Sequence, residues 1–132
     1  MKTPITFSIR SPLPALASGL PTGARDFQPG DSGAPGSLLY TFEQSIPIPA
    51  YLFAVASGDI ASAAIGPRSS VWSDSVDLLA VQKELERDVE TMIQTAERLI
   101  FAYPWTQYNV LILPASFPYG GKAAIDFPVW RA

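Results

Sequence analysis

The chain has 132 residues, 48% hydrophobic and 16% charged, with a net charge of −3 and a pI near 4.7. This composition argues against disorder and fits one small domain or part of a larger one. It also argues against nucleic-acid binding and an anionic membrane: the nine basic residues are scattered singly from Lys2 to Arg131, whereas phosphate neutralisation needs them clustered.

There is no Cys and no His. Disulfides, thiolate metal sites and Cys nucleophiles are therefore excluded, and the usual neutral-pH general base is missing. A metal site would have to be built from carboxylates, which suits Ca²⁺ or Mg²⁺ better than catalytic Zn²⁺. Met1-Lys2-Thr3-Pro4-Ile5 has neither a long apolar run nor a small-residue cleavage site, so no signal peptide is expected. The longest apolar stretches, 51–56 and 110–114, are too short to cross a bilayer. The expected location is cytoplasmic.

Ile5, Phe7 and Ile9 alternate with Thr6, Ser8 and Arg10, which predicts a half-buried strand. Residues 18–37 are rich in Gly and Pro and predict a loop. Leu39, Thr41 and Glu43 alternate with Tyr40, Phe42 and Gln44 in a second strand, which should end by Pro47 and Pro49 or lie at an edge. Tyr51 to Val55 predicts a short buried strand. Ser57-Gly58-Asp59 predicts a turn into a strand over 60–65, Gly66-Pro67-Arg68 a break, and Val71-Trp72 a further strand.

The period then changes. Val81, Leu85, Val89, Met92, Ala96 and Leu99 form one apolar stripe, opposite a face bearing Lys83, Glu84, Glu86, Arg87, Asp88, Glu90, Glu97 and Arg98. One long amphipathic helix is predicted, capped near Asp74 or Asp77 or starting nearer Glu84, and ending before Pro104. Tyr108 to Leu113 predicts a buried strand closed by Pro114. The fold class expected is α+β: antiparallel strands in the N-terminal half, then a long helix and a strand. The part from about Ser69 onward is expected to be too small for a core of its own.

Three segments in this order resemble one family: residues 47–59 (PIPAYLFAVASGD), 65–72 (IGPRSSVW) and 105–121 (WTQYNVLILPASFPYGG). They resemble the leukotriene A4 hydrolase group of the M1 zinc aminopeptidases, over roughly residues 5–121. Residues 7–14 and 39–44 have the flavour of fungal members. The resemblance implies that residues 1–68 are the last part of an N-terminal β-sheet domain, 69–121 the opening of a thermolysin-like catalytic domain, and 122–132 a divergent tail. It also implies that Tyr119, Gly120 and Gly121 begin a substrate-binding strand for a peptide. Glycine there would let a substrate main chain approach closely.

In the family a Met-Glu-Asn follows, whose Glu holds the substrate's amino group. Here Lys122 follows Gly121, and no Glu occurs after Glu97. The zinc-binding His pair, the general-base Glu and the Tyr that stabilises the transition state have no counterpart. The expectation is a truncated piece of a zinc-dependent aminopeptidase and epoxide hydrolase, from an interrupted gene or gene model, with no catalytic residues, no metal ligands and no cofactor of its own. A second expectation is a non-catalytic, β-rich module that binds a peptide or a protein partner. Oligomeric state is left open.

Other residues have plainer readings. Glu84, Glu86, Asp88 and Glu90 fit a solvated helix face better than a metal site. Asp59 fits a turn. None of the serines sits in a Gly-x-Ser-x-Gly elbow, and no His can activate one. Trp72, Trp105, Tyr103 and Tyr108 fit core and interface packing.

Overall fold

The computed structural model describes residues 4–114, 116–117, 121–124 and 127–131, the last two stretches by backbone alone. It divides into two compact units between Asp59 and Ile60. Strands are numbered β1 to β10 and helices α1 and α2 in chain order. The predicted α+β class is the one observed.

In the first unit, β1 (Ile5–Ser11), β4 (Leu38–Gln44) and β3 (Leu20–Asp26) form an antiparallel sheet in the order β1-β4-β3. Ile5 lies opposite Gln44 and Ser11 opposite Leu38. Phe7 stacks on Phe42 at 5.5 Å between ring centroids and meets Phe53 edge-on at 4.6 Å. Separately, β2 (Ala15–Ala17) pairs with β5 (Val55–Ser57). Ser18, fully buried, joins these strands: its amide donates to the Ala54 carbonyl, its hydroxyl accepts from the Ala54 amide, and its carbonyl accepts from the Gln44 side chain. Gly19 is required beside it, because a Cβ there would lie 2.9 Å from the Glu43 carbonyl oxygen.

Two expectations fail in this unit. The predicted loop over 18–37 contains β3. Its side chains are mostly exposed, so it carries no apolar alternation and is held by backbone pairing to β4, with a register shift between Pro21 and Gly23. Only the remainder is loop, and Gly30, Gly33 and Gly36 supply its positive φ angles. The predicted buried strand over Tyr51–Val55 is instead a 3₁₀ turn at Ala50–Leu52 followed by β5. Pro47 and Pro49 have no ladder donors, and the chain closes locally as the Leu52 amide donates to the Pro49 carbonyl. Tyr51 is 74% exposed.

In the second unit, β6 (Ala61–Gly66) and β7 (Ser69–Ser73) form a hairpin whose tip is Pro67-Arg68. The break read at Gly66-Pro67-Arg68 thus falls at a hairpin turn. A helical crossover then leads to β8 (Tyr108–Leu113), parallel to β7. β10 (Phe127–Arg131) lies parallel to β8 and β9 (Gly121–Ala124) antiparallel to β10, giving the order β6-β7-β8-β10-β9.

The single long helix is corrected to two, α1 (Leu78–Leu85) and α2 (Val89–Leu99). The turn between them is Glu86-Arg87-Asp88, three exposed charged residues with no apolar side chain to pin that turn on the sheet. Asp88, a poor helix former, takes the N-cap position of α2, and its carbonyl accepts from the Met92 amide at 2.9 Å. Asp74 accepts from the Val76 amide ahead of α1, which starts at Leu78 and not near Glu84.

This unit, which begins at Ile60 and not at Ser69, holds a core. Ile65, Val71, Val89, Ile93 and Val110 are buried together, with Leu78, Val81 and Leu85 against them. The hairpin makes this possible, since β6 brings Ile65. Each such side chain contributes on the order of 1.5–3 kcal/mol. The cover is one-sided: Met92, Leu99, Ile100 and Phe101 are 65–79% exposed.

Candidate functional site

Of the expected peptide-binding residues, Tyr119 and Gly120 lie outside the described residues. Gly121 opens β9 opposite Trp130 of β10. Among the described residues, β9 is the edge of its sheet. An edge strand has one row of backbone donors and acceptors unpaired within its sheet, and an extended peptide can pair with such a row.

The charged residues are organised around arginines. Arg68, at the hairpin tip, donates from both terminal nitrogens to the two carboxylate oxygens of Glu97, at 2.9 and 2.8 Å. Glu90 approaches the same guanidinium at 3.2 Å. Glu97 also accepts from the Tyr103 amide at 3.0 Å, while the Arg68 carbonyl accepts from the Tyr108 amide at 2.8 Å. One arginine thus ties the hairpin to α2 and to the start of β8. Hydrogen bonding from Arg68, then from the Tyr103 amide, lowers the Glu97 carboxyl to about 2. The same carboxylates hold the Arg68 guanidinium above its already high value.

A second cluster lies in the first unit. Asp31 accepts from Arg10 at 3.0 Å, from Arg25 at 2.7 and 3.0 Å, and from the Gln28 amide. Arg25, foremost, holds this carboxyl well below the usual range. Arg10 also sits over the Phe27 ring at 5.6 Å. Sequence reasoning missed both clusters, because ion pairing between distant segments leaves no local pattern.

Glu84 is exposed on α1, Glu86 and Asp88 are exposed in the turn between the two helices, and Glu90 is engaged by Arg68. Among the described residues no group of three or more acidic side chains could hold a metal ion. With His and Cys missing from the whole sequence, the donor set does not fit a water-activating zinc ion. Ser11 and Ser57 hydrogen-bond each other at 2.6 Å, with no activating base.

An apolar groove of about 380 Å³ lies between α2 and the segment leading into β8. Tyr103 lies on its wall, 5.4 Å from Trp105 and 5.8 Å from Tyr108 between ring centroids. Burial raises the Tyr108 hydroxyl above its ordinary value. This arrangement can hold apolar or extended ligands, but it offers no acid–base pair for bond cleavage.

No protein-family model matches the chain. A leukotriene A-4 hydrolase homolog of Botryotinia fuckeliana is 59% identical over 121 residues, which cover 92% of this chain and 19% of the relative. Leucine aminopeptidase 2 of Sclerotinia sclerotiorum is 58% identical over 121 residues, 92% of this chain and 20% of the relative. Among solved structures, native yeast LTA4 hydrolase superimposes with a TM-score of 0.83 at 43% identity, covering 98% of this chain and 19% of that one. The chain spans about one fifth of the length of these relatives.

Proposed function

Because the chain is homologous to fungal leukotriene A4 hydrolases and leucine aminopeptidases 2 of the M1 family over about a fifth of their length, we propose that it is the scaffold portion of such an aminopeptidase. In this reading residues 1–68 correspond to the end of the family's β domain, residues 69–121 to the opening of its catalytic domain, and 122–132 to a divergent tail. Tyr119, Gly120 and Gly121 are the segment that would align a peptide for cleavage. The aminopeptidase names of the relatives and the position of β9 at a sheet edge support that role.

These 132 residues do not themselves carry out the reaction. The observation that carries this conclusion is the donor set: zero His, zero Cys, and the principal carboxylates of both clusters committed to arginines. The family's zinc ion would activate water and polarise the scissile carbonyl, and a donor set without His or Cys does not suit it. The test is hydrolysis of leucine p-nitroanilide by the purified chain with added zinc, beside calorimetric titration of zinc into the protein. The expected results are no turnover above buffer and no saturable zinc binding. Turnover that co-purifies with the chain through successive columns would overturn the reading.

A further inference from the structure

We draw no further inference here: the strongest candidate, the apolar groove between the exposed face of α2 and the segment leading into β8, lined by Met92, Ile93, Ile100, Phe101, Trp105 and Tyr108, carries nothing because nothing in the structure shows what covers it.

Discussion

Arg68 and Glu97, 29 residues apart, meet through two parallel hydrogen bonds of 2.9 and 2.8 Å, and Glu97 turns the same carboxylate to the Tyr103 amide. A forked pair of this kind is more directional than a point-charge contact. Glu97→Gln and Arg68→Leu are each expected to lower the urea midpoint. Their double variant should lose less than the sum of the two, because each single change already breaks the shared contact. Strict additivity would show that the pair contributes no coupling.

Acid sensitivity follows from the same carboxylate. Its folded value, about 2, lies below the ordinary 4.5. Folding therefore favours the ionised form, and the stabilisation is fully present above about pH 4.5. It is lost as the pH falls towards 2. Asp31 acts in the same direction. Urea midpoints measured across this range should fall with pH in the parent chain and fall less in Glu97→Gln. Parallel acid limbs in the two proteins would remove Glu97 from the explanation.

Leu111 is 1% exposed on β8, between β7 and β10. Leu111→Ala should cost about 2–5 kcal/mol, and Leu111→Met less than about 1.5 kcal/mol. Leu79, 63% exposed on α1, gives the comparison: Leu79→Ala should change stability by no more than about 0.5 kcal/mol. Similar losses at both positions, read by denaturant unfolding, would contradict the burial described.

Gly33 has φ +112°, and a Cβ there would collide with the Arg10 side chain. Gly33→Ala is expected to cost about 1–3 kcal/mol through backbone strain and to loosen the clasp of Arg10 on Asp31. Gly58 has open space where its Cβ would stand and no positive φ, so Gly58→Ala should be tolerated. Equal tolerance at both positions in thermal unfolding would show that the loop does not need its left-handed glycine.

Phe101 and Ile100 stand 67% and 73% exposed. Apolar surface of this kind binds dyes and promotes association. Phe101→Ser with Ile100→Ser should reduce the fluorescence of a bound hydrophobic dye and raise solubility, leaving the unfolding midpoint nearly unchanged. A large fall in the midpoint would mean that these side chains are part of the packed core.

The sequence was legible where burial imposes a period. β1 and β4 show the alternation of a strand, and β8 the short apolar run of a buried one. β3 was not legible, since pairing with β4 holds it while its side chains face outward. The break at Glu86-Arg87-Asp88 was equally hidden, because the apolar stripe continues across it in register. At Tyr51 an apolar run suggested burial, but the prolines before it had already turned the chain. The candidate peptide-binding residues were found by resemblance alone, and two of the three lie outside the described residues.

The hairpin that carries Arg68 closes with few residues between its strands, whereas the bonds from Arg68 to Glu97 and to the Tyr108 amide close loops of several tens of residues. Short loops form earlier because they lose less chain entropy on closing. The β6–β7 hairpin is thus the natural nucleus of the second unit, with α2 and β8 locking onto its tip afterwards. Substitutions within the hairpin should slow folding, while breaking the Arg68 contacts should mainly speed unfolding.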